Sequence, residues 1–231
     1  MRRLAGAAMV ATLIAWGRAT PASPAPSGPS GMVDVLDYII GSAAMWPRNG
    51  SSYQNQFLDV SARQVCWVKY GNPQRFECWR WDDQYVYHQV DHALDGDSPE
   101  SYRFTDGRWM PRRLSVTGEW RLDVAANRIV WFDAACRVSP SKSGVFPYRQ
   151  HVAFAPPRAV GDQLGVVNDV LLLEYQPYDP VTPGNDGPLE QFYFGKWIGW
   201  FEWDRQSAHV VFNRVGGPLI QPQRSTICAM P

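Results

Sequence analysis

The chain has 231 residues, 45% of them hydrophobic and 13% aromatic, with 22 basic and 22 acidic side chains and no formal net charge at pH 7. Without Arg2, Arg3 and Arg18, which fall in an N-terminal leader, 19 basic residues face 22 acidic ones. That balance excludes the basic surplus of a nucleic-acid binder or of a protein held on an acidic membrane surface.

Residues 1–19 have the layout of a secretory signal peptide. Arg2 and Arg3 supply the charged start, Leu4–Trp16 is an apolar run too short to span a bilayer, and Gly17–Arg18–Ala19 offers small residues for cleavage. Residues 20–31 are a Pro/Ser/Gly-rich linker. Residues 32–231 are expected to form one domain, since about 200 residues suffice for a real core. No second apolar stretch is long enough to cross a membrane, and the sequence sets no oligomeric state. The expected location is secreted or periplasmic.

In Met32–Trp46, Val33, Leu36 and Ile40 recur at helical spacing behind Asp34, which predicts a short helix. From there the period changes to two. Strands are predicted at Gln56–Val60, Gln64–Tyr70, Arg75–Asp82, Gln84–His92, Ser101–Phe104, Arg113–Val116, Trp120–Val124 and Arg128–Phe132, then at Gln150–Ala155, Val170–Gln176, Glu190–Gly195, Ile198–Trp203 and His209–Asn213. Turn signals such as Gly71–Asn72–Pro73, Asp95–Gly96–Asp97 and Asp106–Gly107 separate them. Many short strands at close spacing predict an all-β, antiparallel barrel, half-barrel or sandwich with a short N-terminal helix. Both faces of Val170–Tyr175 are largely apolar, so that strand is expected at the centre of a sheet. Tyr178–Pro188 is a polar insert suited to a rim or lid.

All four cysteines, Cys66, Cys78, Cys136 and Cys228, follow the leader. An even count in an exported chain predicts two disulfides. Of three pairings, Cys66–Cys78 and Cys136–Cys228 are favoured. The first pair flanks the turn at Gly71–Asn72–Pro73, and the second would tie down the C-terminal tail by closing a long loop. A structural zinc site lacks its C-x-x-C spacing. His88 and His92 would stand about 13 Å apart on one face of a strand, too far to share an ion.

Eleven tryptophans cluster in alternating segments. The first constellation is Trp79, Trp81, Asp82, Asp83, Tyr85 and Tyr87. Aromatic faces suit the C–H side of a sugar and carboxylates accept its hydroxyls, whereas core packing and a plain turn are the bland alternative. Alternation puts Glu77, Trp79 and Trp81 on one face, opposite Phe76 and Cys78, a composition that fits a half-exposed ligand surface. The second constellation runs from Glu190 to Asp204. A hairpin bent near Lys196–Trp197 would place Glu190 opposite Asp204 with Glu202 one pair inward, at the roughly 5 Å spacing of a retaining glycosidase. Trp197, Trp200 and Trp203 would flank these acids.

Gly-x-Ser-x-Gly and phosphate-cradling glycine loops are absent, so nucleophilic triads and nucleotide cofactors are not expected, and no cofactor or metal is. The expected function is an exported glycan-engaging protein. It would bind a polysaccharide through Trp79, Trp81, Asp82, Asp83, Tyr85, Tyr87, Trp197, Trp200 and Trp203. If it is an enzyme, it would be glycoside hydrolase-like and would cut with Glu190, Glu202 and Asp204. The alternative is a non-enzymatic half-barrel carrying an apolar ligand or lipid in the cell envelope. A third reading is an envelope scaffold whose tryptophans are all buried.

Overall fold

The computed structural model describes residues 31–41, 44–47, 54–92, 101–104, 107–133, 135–160, 165–179, 181, 182, 184, 186–206, 208–214, 219–224 and 228. The predicted signal peptide and nearly all of the linker lie outside these residues. In chain order the elements are β1 (Met32–Asp34), α1 (Leu36–Ile39), β2 (Ala44–Pro47), β3 (Gln54–Asp59), β4 (Gln64–Val68), β5 (Phe76–Trp81), β6 (Tyr85–His92), β7 (Ser101–Phe104) and β8 (Arg108–Pro111). There follow β9 (Arg113–Ser115), β10 (Glu119–Phe132), β11 (Gly144–Ala155), β12 (Arg158–Val160), β13 (Gly165–Val167), β14 (Val170–Pro177), β15 (Glu190–Gly195), β16 (Gly199–Arg205) and β17 (Ala208–Arg214).

Thirteen strands share one antiparallel sheet in the order β5-β4-β3-β2-β17-β16-β15-β14-β11-β10-β7-β6-β8, and β5 pairs again with β6. That last pairing closes twelve of them into a ring. β8 branches from β6 and continues the wall along the half of β6 that β7 does not cover. Closure removes the free sheet edges that would otherwise invite aggregation.

A round barrel of twelve strands would enclose more space than aliphatic side chains fill. Here the ring is flattened and its walls meet through tryptophan, so it packs like a sandwich. Trp79 on β5 lies 5.4 Å from Phe194 on β15, across the ring, and Trp67 on β4 lies 6.1 Å from Trp200 on β16. Trp109 on β8 meets Tyr175 on β14 at 5.1 Å. Val65, Val86, Val152, Leu171 and Leu173 complete this core.

One end of the barrel is stoppered by α1, whose Leu36, Tyr38 and Ile39 join the core. Gly41 lets the helix close on the β15–β16 hairpin, because a Cβ there would sit 1.9 Å from the Ile198 carbonyl oxygen. Gln56 fastens the junction: its side-chain oxygen accepts from the Gly41 N–H and its amide donates to the Ile39 carbonyl. The expected helix over Met32–Trp46 is therefore a single turn between two strands, since the chain must bend at Gly41 to stopper the barrel and then enter the sheet.

Three smaller cores lie outside the ring, one of which packs Val130 and Phe132 of β10 against Cys228. The β12–β13 hairpin covers Val170, Tyr193 and Phe201. The disulfide Cys66–Cys78 sits with Val68, Phe76 and Val90 beneath Ile220. The C-terminal segment is held there by Asn55, which donates to the Ile220 carbonyl and accepts from its N–H. It ends at a second disulfide, Cys136–Cys228, so both expected pairings are present and no cysteine is free among the described residues.

The predicted strands at Trp120–Val124 and Arg128–Phe132 are one long β10 with a register shift between Leu122 and Ala125. β14 lies between β11 and β15 and is covered on both faces, as its apolar alternation predicts. Among the described residues no helix is long and apolar enough to cross a membrane.

Candidate functional site

The end of the barrel opposite α1, here the far rim, carries the β4–β5 turn, the 178–189 loop and the turn after Arg205. Just inside it the aromatic core gives way to polar side chains. On one wall Glu77 and Asp91 are paired across β5 and β6. Lys69 bridges them, with Nζ 3.0 Å from each Asp91 carboxylate oxygen and 3.3 Å from Glu77 Oε2. Trp79 Nε1–H donates to Glu77 Oε1 at 2.9 Å, and His88 Nε2 lies 3.1 Å from the same oxygen. Burial pushes the Glu77 carboxyl up, but Lys69, His88 and the indole outweigh it and hold the acid below its usual value. Burial lowers the His88 imidazole to about 4, so it is neutral at pH 7.

The opposite wall places Gln150, Tyr175 and Glu190 side by side on β11, β14 and β15. Burial raises the Glu190 carboxyl, and the Glu77 charge across the barrel adds to the rise. The Arg205 guanidinium, 3.6 Å away, and Trp203 Nε1–H, 3.4 Å away, offset it only in part. Tyr175 is pushed up by burial and stacks on Tyr148 and Trp109. Gln150 is 3% exposed, yet neither its amide oxygen nor its nitrogen has a hydrogen-bond partner among the described residues, and the same holds for Nε1 of Trp109, also 3% exposed. A buried amide left unpaired costs about 1–3 kcal/mol. The cluster is therefore rich in ring faces and holds polar atoms that the fold itself does not use. Side-chain exposures of 14% at Lys69 and 22% at Glu190 connect it to solvent.

The first expected constellation is divided by the sheet. Trp79, 1% exposed, and Trp81 face the interior. Tyr85 and Tyr87 face out, with Arg80 over the Tyr87 ring at 4.3 Å. Asp82 shapes a turn: its Oδ1 accepts from the N–H of Gln84 and of Tyr85, and its Oδ2 from the Tyr87 hydroxyl. Asp83 is exposed beside Arg63. These six residues do not line one groove.

The second constellation is divided by a β-bulge. Gly195↔Gly199 and Phe194↔Trp200 keep the expected hairpin register, but Tyr193 then pairs with Glu202, leaving Phe201 as the extra residue. One extra residue turns every later side chain to the other face. Glu190 consequently opposes Arg205 rather than Asp204 and points inward with Trp200 and Trp203, while Glu202 and Asp204 point outward. Glu202 is 2% exposed and bound by both Nε and a terminal nitrogen of Arg158, with His209 Nε2 3.0 Å away. Asp204 lies on the outer surface near the rim. Trp197, 55% exposed, caps the hairpin at the α1 end, its N–H donating to the Asp37 carbonyl. The three acids are thus not gathered for two-carboxylate chemistry.

His88 and His92 also part company. A register shift between Cys78 and Trp79 sends His88 inward onto Trp109, and His92 outward onto Phe76. Among the described residues no group of His, Cys, Asp and Glu could hold a metal. Lys69, Glu77, His88, Asp91, Trp109, Gln150 and Tyr175 are the members of the interior cluster that the expected glycan site omits. Period-two alternation already placed Glu77 beside Trp79, which was the available signal for the cluster. No family model, curated protein or solved structure matches this chain.

Proposed function

We propose that this is an exported binding protein that holds a glycan, through its hydroxyls and ring faces, in the polar cluster beneath the far rim, and does not cleave it. The observation that carries this reading is the mouth of the cluster, where the Glu190 side chain, 22% exposed, stands between Tyr175 and Arg205 with the Trp203 indole beside it. Arg205 offers donors and Glu190 an acceptor at this mouth, and Tyr175 and Trp203 offer faces for the C–H side of a sugar. Export is supported by the two disulfides, which persist in oxidising compartments, and by the signal-like start of the chain. Binding without hydrolysis is favoured because the expected acids Glu190, Glu202 and Asp204 are divided between two faces of the sheet. An apolar cargo is disfavoured because the space an acyl chain would need is filled by Trp79, Phe194, Trp67 and Trp200.

The test is a titration of the purified protein with plant, microbial and peptidoglycan-derived glycans. Intrinsic tryptophan fluorescence would be followed, and reducing ends and unsaturated products assayed in the same wells. A saturable shift without product is expected. Product formation would make the protein an enzyme. Silence, with lipid recovered from an organic extract, would make it a carrier, and silence without lipid a scaffold.

A further inference from the structure

We infer that the open cleft beside the mouth is an ammonium site: the glycan carries an amino sugar whose protonated amine is held there by Asp204. This rests on the glycan-binding function proposed above. The cleft measures about 560 Å³, within the ~300–1,000 Å³ of clefts that take small ligands. The 178–189 loop contributes Asp186 and Leu189 to its lining, the start of β15 contributes Gln191, and the end of β16 contributes Asp204 and Arg205. Arg205 pairs with Glu190 across the two strands, so the cleft adjoins the mouth.

The cations around Asp204 are spent on other acids. Asp186 accepts from Arg149 at 3.0 Å and from the Asp179 N–H at 3.1 Å. Arg205 lies 3.6 Å from Glu190. Arg158 feels the Asp204 charge, but its Nε and a terminal nitrogen are bound to Glu202. His209 is the register partner of Asp204 on β17, and its Nε2 lies 3.0 Å from Glu202 Oε1. Asp186, Glu190, Glu202 and Asp204 thus meet only three guanidiniums, and Asp204 is the acid of this group with no hydrogen bond or ion pair among the described residues.

An ammonium completes this arrangement. It brings one positive charge and three donors with no acceptor to satisfy, and its bonds to a carboxylate are charge-assisted. Asp204 is half-buried, which strengthens the pair relative to one in open water. A neutral sugar would leave the carboxylate charge uncompensated, and a uronic acid would be repelled by it. Leu189, 40% exposed, supplies an apolar patch for the C–H face of the same ring.

The test compares chitin oligosaccharides, whose amines are acetylated, with glucosamine oligosaccharides of the same lengths. Each is titrated calorimetrically against the full mature chain at mildly acidic pH and low salt. The glucosamine series should bind about tenfold tighter, the scale of one charge-assisted hydrogen bond. Asp204→Asn keeps the shape and removes the charge, so it should bring the two series to equal affinity. A thermal melt matching the parent would certify its fold. Equal affinity of the two series for the parent protein, or a preference that survives Asp204→Asn, would overturn the ammonium site while leaving glycan binding in place. Absence of binding to these and to every glycan of the wider panel would overturn the function itself.

Discussion

Replacing Gln150 with Met should make the protein more stable. Gln150 is buried on the inner face of β11 between Leu122 and Tyr175. Its amide forms no hydrogen bond among the described residues, so folding strips it of water without compensation from them. Such a group costs about 1–3 kcal/mol. Met has nearly the same length and flexibility and no amide to desolvate. The gain should be ~1–2 kcal/mol, which in a domain of this size raises Tm by roughly 3–6 °C. Urea unfolding of the disulfide-intact chain, followed by tryptophan fluorescence, would read the midpoint. A destabilisation of more than 1 kcal/mol would refute the reasoning, because it would mean that the amide is already satisfied in the free protein and has a structural role.

Three further outcomes follow from the geometry. Burial holds folded His88 near pKa 4, below its ordinary 6.5, and lowers His92 as well. The unfolded chain therefore binds these protons first as pH falls. The stability conferred by the neutral imidazoles is complete above pH 6.5 and is lost between there and about 4, by up to ~3 kcal/mol; equal urea midpoints at pH 7 and pH 4.5 would contradict this. Arg158→Ala strands the buried Glu202 carboxylate with only His209 beside it, and should cost about 2–4 kcal/mol with glycan binding unchanged. Adding Glu202→Gln should recover part of that loss, and failure to recover any would deny that a stranded charge is the cause. Gly41→Ala drives a methyl group into the Ile198 carbonyl and should cost ~2–4 kcal/mol; a wild-type melting curve would show that α1 does not stopper the barrel as described.

Period-two alternation is a local property and it was legible. It marked most strands, put Glu77, Trp79 and Trp81 on one face of β5, and made β14 a central strand. Likewise the turn at Gly71–Asn72–Pro73 was enough to pair Cys66 with Cys78, since a tight hairpin brings its flanks together. The limits appear wherever one residue changes the count. Phe201 is an ordinary strand residue, but as a bulge it reverses Glu202 and Asp204, and no feature of Gly199–Arg205 announces it apart from the permissive glycine. The register slip between Cys78 and Trp79 does the same to His88 and His92.

What the chain determined alone was its class: antiparallel β, two disulfides, a signal-like leader, and an aromatic content too high for an ordinary aliphatic core. Only the tertiary structure decided what those aromatic rings do. Which face of a strand is wet depends on whether β17, at the end of the strand series, finds β2 near its start and closes the ring. Once it closes, Trp79 becomes filling between two walls, and Glu190 and Gln150 become neighbours across β14.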